Sequence, residues 1–146
     1  MIGLIQRVRS ASVTVDNDIV GEIAAGLLVL VGVRRDDTHQ DAERLLERLL
    51  GYRVFEDESG RMNNSLRDTG GDLLLVPQFT LAADTRKGTR ASFTPAAPPA
   101  EAERLFQQLV ELAGREWSAT AAGRFGANMQ VALVNDGPVT FWLETR

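Results

Sequence analysis

Gln78-Phe79-Thr80 stands at the exit of a strand read over residues 73–78, bringing an amide, a hydroxyl and successive backbone N–H groups to a place where binding groups often gather. Gly137-Pro138, inside Asn135-Asp136-Gly137-Pro138, is the second local feature able to present main-chain polar groups to a ligand. Each also has a plain structural reading. Threonine is common near strand ends, and Gly-Pro usually marks a turn, with only about 5–6% of X-Pro bonds cis. What the chain lacks narrows the chemistry further. With no cysteine it has no thiolate nucleophile, no disulfide and no cysteine-held zinc or iron–sulfur centre. With one histidine, His39, a Ser-His-Asp triad would have to use that residue, and one chain cannot build a multi-histidine metal site. No metal and no cofactor is expected.

The elements that must position these groups follow from periodicity. Residues 11–15 alternate apolar and polar, Asp16-Asn17-Asp18 is turn chemistry, residues 19–23 read as the returning strand, and residues 27–33 are an aliphatic run suited to burial on both faces. Asp36-Asp37-Thr38 offers N-caps to a helix whose Ala42, Leu45, Leu46, Leu49 and Leu50 share a face, with Gly51 at its end. His39 falls in its first turn, off the apolar stripe, and reads as a solvated surface residue. A strand over residues 52–56 and a turn at Glu58-Ser59-Gly60 come next. Residues 79–98 lack periodicity, which is long for a structureless loop and points to a functional or disordered segment. A second helix starts near Pro99, with Ala102, Leu105, Phe106, Leu109, Val110 and Ala113 on one face and Gly114 closing it. Strands are then expected over residues 117–121, 130–134 and 139–143, the last two separated by the Asn135-Asp136-Gly137-Pro138 turn. The pattern predicts one α+β domain over residues 1–146: a mostly antiparallel, barrel-like sheet system with two amphipathic helices packed on one side.

The chain has 146 residues, 44% apolar and 25% charged, enough for one core. Lys plus Arg is 16 against 20 acidic residues, a formal charge of −4, which argues against coating a duplex but allows local contact with one RNA end. The apolar stretch 23–33 is about half the ~20 residues a membrane span needs, and Arg7 and Arg9 stand where a secretory signal would be apolar, so no membrane partner and a cytoplasmic location are expected.

Several spaced motifs then converge. Ile5-Gln6-Arg7-Val8, Gly26-Leu27-Leu28-Val29, Phe55-Glu56-Asp57, Gln78-Phe79-Thr80-Leu81, Ala83-Asp84, Lys87-Gly88, Ser92-Phe93, Gly123-Arg124-Phe125-Gly126-Ala127 and Asn135-Asp136-Gly137-Pro138-Val139-Thr140 together resemble the D-aminoacyl-tRNA deacylases, over essentially the whole chain. The resemblance implies a metal-free homodimer that hydrolyses the ester between a D-amino acid, or mischarged glycine, and the terminal adenosine of tRNA. It implies that Gln78, Phe79 and Thr80 line the pocket at the adenosine and the scissile ester. It further implies that Gly137-Pro138, with a cis peptide, projects main-chain carbonyls into the neighbouring subunit's pocket to hold the substrate amino group. Arg7 is then expected to brace that turn and Met129 to border the adenosine pocket.

The chain departs from the family pattern at Pro77, where the family usually has Ser, at Ala91, where it has Pro, and at Asn128, where it has Asp. Pro77 removes a hydroxyl and a backbone N–H, so no role of that serine carries over, while the N–H groups of Phe79 and Thr80 remain. Two routes for the chemistry stand. Either these N–H groups stabilise the oxyanion with help from the tRNA 2′-hydroxyl, the preferred route, or Thr80 is a nucleophile, which requires a base that the sequence does not place beside it. Arg86, Lys87 and Arg90 in the long loop, with Arg124, are either a solvated surface or phosphate contacts to the acceptor end of an aminoacylated tRNA. The alternatives are a non-catalytic dimeric module that binds a nucleic-acid end, and a threonine-dependent esterase for small substrates.

Overall fold

The computed structural model describes residues 1–146. Eight strands, β1 (Ile2–Val15), β2 (Asp18–Ile23), β3 (Gly26–Gly32), β4 (Phe55–Glu56), β5 (Met62–Asn64), β6 (Asp72–Pro77), β7 (Thr120–Ala122) and β8 (Gln130–Glu144), are joined by three α-helices. These are α1 (His39–Gly51), α2 (Leu66–Thr69) and α3 (Pro99–Glu116). β1 is the spine. Along one side it pairs antiparallel with β8, and along the other it pairs antiparallel first with β3 and then with β2. The sheet continues from β3 to β6 and β7 through parallel ladders, so the expected antiparallel majority holds with a parallel minority.

Period-two alternation divides the buried side chains into two cores. Leu27, Val29 and Val31 of β3 and Leu73 and Leu75 of β6 face α1 and α3, whose Leu45, Leu49, Leu105 and Leu109 are fully or almost fully buried against them. Leu28, Leu74 and Val76 point the other way, meeting Val8, Val13 and Ile23 inside the curl of the sheet. β2 lies so close over β6 and β7 that a Cβ on Gly21 would stand 2.8 Å from the Ala122 carbonyl oxygen and 3.3 Å from Leu74. The sheet is thus nearly a closed barrel with two long helices on one outer face. No helix is long and apolar enough to cross a membrane.

Gly26 marks the tightest strand approach. A Cβ there would lie 1.9 Å from the Asp72 carbonyl oxygen and 2.6 Å from the Asp72 nitrogen, both backbone atoms of the paired strand. The clash cannot be relieved by a rotamer change, so β3 and β6 would have to part. Gly26→Ala is expected to lose about 3 kcal/mol in urea unfolding, the upper end of the usual cost of overpacking, because backbone has to move. An unchanged midpoint would show that the ladder has slack at this point.

Several expected boundaries change. The opening strand begins at Ile2 rather than residue 11, because Ile2 to Val8 pair with both β3 and β8. Only Phe55–Glu56 of the expected strand 52–56 is extended pairing, and the strand after α3 runs Thr120–Ala122 rather than from residue 117. Residues 130–134 and 139–143 form one strand, β8, with the Gly-Pro segment as a bulge within it. Gln6 pairs with Thr140 and Val8 with Asn135, so the single residue Arg7 faces the whole of Asp136, Gly137, Pro138 and Val139. The segment 79–98 is ordered. It opens with a 3₁₀ turn (Phe79–Ala82), Asp84 and Ser92 exchange backbone hydrogen bonds at 2.8 and 2.9 Å, and Ala97 N–H donates to Val33 O at 3.1 Å.

Candidate active site

Pro77 ends β6 and its ladder with β7. Gln78 N–H donates to Val31 O at 2.8 Å, so by strand alternation residue 77 faces the β7 edge, where the last ladder bond runs from Gly123 N–H to Leu75 O at 2.8 Å and proline, without an N–H, adds none beyond it. The chain then turns into the 3₁₀ segment. Its first N–H groups, on Phe79 and Thr80, have no acceptor within the turn, whereas Leu81 and Ala83 donate to Gln78 O and Thr80 O.

At this end of the barrel Pro77, Gln78 and Phe79 meet Phe125, Gly126, Ala127, Met129 and Val131 around an open cavity of about 280 Å³. Gly123 makes room for one wall: a Cβ there would lie 2.9 Å from Met129 Sδ, which accepts the Arg124 N–H at 3.4 Å. Gln78, Phe79 and Met129 are therefore brought together. Thr80 follows at the rim, exposed, with its hydroxyl oxygen accepting from Gln78 Nε2. No histidine, lysine or carboxylate is hydrogen-bonded to that hydroxyl, and His39 is on α1, paired with Gln108 at 3.0 Å and Glu43 at 3.4 Å. No three metal-ligating side chains converge anywhere in the chain.

The Gly137-Pro138 turn lines no part of this cavity. It is exposed on β8, carries a cis peptide bond, and Gly137 adopts φ of +137°, a backbone region that glycine enters freely. Its flanks are clamped by Asn135, whose Oδ1 accepts the Val139 N–H at 3.0 Å and whose Nδ2 donates to Thr140 Oγ1 at 2.9 Å. Arg7 secures it from beneath. Only 8% exposed, Arg7 donates from Nε to Asp136 O at 3.0 Å and from Nη1 to Val54 O at 2.8 Å. One guanidinium fork thus joins the turn to the segment before β4, and an ammonium cannot span both carbonyls. Arg7→Ala is expected to lower stability by about 2–3 kcal/mol and Arg7→Lys to recover little of it. Thermal unfolding of the two variants checks this, and full recovery by lysine would reduce Arg7 to a charge.

The basic residues separate into two kinds. Arg86 is held by Asp84 in a two-pronged ion pair at 2.7 and 2.9 Å, and the guanidinium and backbone N–H of Arg86 keep the Asp84 carboxyl well below the usual carboxylate range. Lys87, Arg90 and Arg124 are exposed and form no ion pair. The Phe79 and Phe93 rings lie 5.2 Å apart at 41°. Sequence reasoning missed the Phe125–Ala127 wall as part of the pocket, and it missed Asn135 and Asp84 as clamps. Their only signal was membership of the spaced motifs.

A sequence profile of a family described as D-Tyr-tRNA(Tyr) deacylase matches residues 4–144. A D-aminoacyl-tRNA deacylase from Alkalilimnicola ehrlichii is 66% identical over 146 residues, 100% of this chain and 97% of that protein. One from Pectobacterium atrosepticum is 57% identical over 145 residues, 99% of this chain and 100% of that protein. Among solved structures, a c-Myc DNA unwinding element binding protein superposes with TM-score 0.95 at 38% identity, covering 100% of this chain and 99% of its own. Another, a probable eukaryotic D-amino acid tRNA deacylase, has TM-score 0.84 over 98% of each chain at 17% identity, a likeness of fold alone.

Proposed function

Since the chain belongs to the D-Tyr-tRNA(Tyr) deacylase family, we propose that it hydrolyses the ester between a D-amino acid, or mischarged glycine, and the terminal adenosine of tRNA, releasing both. The observation that carries this reading is the cavity at the end of β6, where an apolar wall suited to a base adjoins the unpaired N–H groups of Phe79 and Thr80. An acyl ester needs above all a stabilised tetrahedral oxyanion, and loss of one such donor in known enzymes costs about 2.7–4 kcal/mol of barrier. The adenosine lies between Met129 and Phe125. Gln78 and Thr80 fix one rim by their mutual hydrogen bond, and the tRNA 2′-hydroxyl assists the attacking water. Lys87, Arg90 and Arg124 contact acceptor-end phosphates, and Arg86, engaged by Asp84, contributes least. The setting is the cytoplasm, where aminoacyl-tRNA is made.

The site is completed by a second copy. β8 is a 15-residue edge strand with β1 as its one neighbour, and it exposes 52% of Val134 and 47% of Trp142. In the homodimer the exposed Gly137-Pro138 turn enters the partner's cavity, and its carbonyls accept from the substrate ammonium. Sedimentation should give twice the 16.0 kDa chain mass. Val134→Lys is expected to yield a monomer with little activity, whereas a fully active monomer would remove the turn from the site.

The structural likeness to a protein named for DNA binding favours one other reading, a module that holds a nucleic-acid end without turnover. Release of labelled D-amino acid from charged tRNA, with chelator present, separates the two: binding without release would leave only the module.

A further inference from the structure

Phe79 and Phe93 are 57% and 46% exposed, their rings stacked obliquely at 5.2 Å, on a surface where most large apolar side chains are buried. Phe79 borders the cavity, and Phe93 directly follows the Ser92 bridge that closes the basic loop over residues 84–92. The ring pair therefore adjoins the cavity through Phe79 and, through Phe93, the base of the loop that carries the exposed cations Lys87 and Arg90. Exposed aromatic faces flanked by unpaired cations are the elements by which proteins hold single-stranded nucleic acid, the rings taking bases and the cations the backbone.

Resting on the deacylase reading, we propose that Phe93, supported by Phe79, is a stacking platform for the nucleotide that precedes the terminal adenosine of the acceptor strand. With the terminal base in the cavity, the strand leaves past Phe79, which brings the preceding base over the Phe93 face and its phosphate towards Lys87 and Arg90. Every base has a π face, so the platform contributes affinity with little sequence preference. It acts on binding of the long substrate and leaves the reacting atoms alone.

The test compares D-tyrosyl-tRNA with D-tyrosyl-adenosine, which lacks the preceding nucleotide, for the unmodified protein and for Phe93→Ala and Phe93→Tyr. Phe93→Ala is expected to lose about tenfold to a hundredfold in kcat/KM on the tRNA, mostly through KM, and to match the unmodified protein on the adenosine ester. Phe93→Tyr, which keeps the ring, should retain activity on both. Equal losses on the two substrates, no loss on either, or a loss accompanied by a changed sedimentation mass would overturn the platform and leave the hydrolase standing. Failure of the unmodified protein on both substrates would instead remove the hydrolase reading, and the platform with it.

Discussion

D-tyrosyl-tRNA and glycyl-tRNA are expected to be hydrolysed and L-tyrosyl-tRNA spared, with a D-over-L ratio in kcat/KM of at least about a thousandfold, beyond the ten- to 200-fold that a methylene difference in an apolar pocket provides. The reason is the kind of atom on each side of the α-carbon. If the carbonyls of the partner's turn accept from the α-ammonium and the N–H groups of Phe79 and Thr80 face the ester, two of its substituents are fixed. A D side chain then points to the open mouth, and an L side chain is driven into main chain. Main chain cannot change rotamer. Truncating any single lining side chain, Met129→Ala included, is therefore expected to leave L-substrates excluded, and glycine, with hydrogen on both sides, to pass. Deacylation of D-tyrosyl-, L-tyrosyl- and glycyl-tRNA side by side measures the ratio, and efficient release of L-tyrosine would contradict the arrangement of carbonyls and N–H groups.

Replacing the terminal ribose of the substrate by its 2′-deoxy form is expected to slow hydrolysis by about 10²–10⁴, the usual worth of a positioned proton-transfer group. The Thr80 hydroxyl has Gln78 Nε2 as its hydrogen-bond partner, and no base stands beside it to remove its proton. Thr80→Ala removes one rim hydrogen bond, worth about 1 kcal/mol, and is expected to lower the rate by no more than about tenfold. The order of the two effects is the measurement. A covalent acyl group trapped on Thr80, or a Thr80→Ala loss larger than the 2′-deoxy loss, would restore threonine as the nucleophile.

Much of this was legible in the residues, and the omissions have physical causes. β3 and β6 are uninterrupted aliphatic runs because both their faces are covered, and α1 and α3 carry clean apolar stripes because each packs one face on the sheet. The first half of β1 was not legible. Gly3, Gln6, Arg7 and Arg9 break its alternation, and Arg7 is buried by two carbonyls that no sequence pattern announces. α2 is only four residues long, too short for periodicity, though Ser65 and Asp68 form the reciprocal cap that marks its start. Asn135-Asp136-Gly137-Pro138 has the composition of a hairpin turn, and only the register on β1 shows it to be a bulge. At the cavity, Gln78-Phe79-Thr80 was legible in the residues as a polar strand exit, while its assignment to a pocket, and that of Met129, came through family resemblance. The cavity wall from Phe125 to Ala127 comes from a glycine-bearing link whose path depends on Gly123 yielding space to Met129.

The four-against-one bulge opposite Arg7 also divides β8 into stretches with different tolerance to changes in length. Along residues 131–134 the pairing with β1 is one to one, so an inserted or deleted residue would turn Val131 and Leu133 from the barrel interior to the outside. Within the bulge the count is already unequal, and the strand re-enters register at Thr140 through the Asn135 clamp rather than by matching residue for residue. A change in length there alters the reach of the turn while both flanking ladders stay in step. The turn is thus the part of β8 whose dimensions evolution or an engineer can vary without rebuilding the barrel.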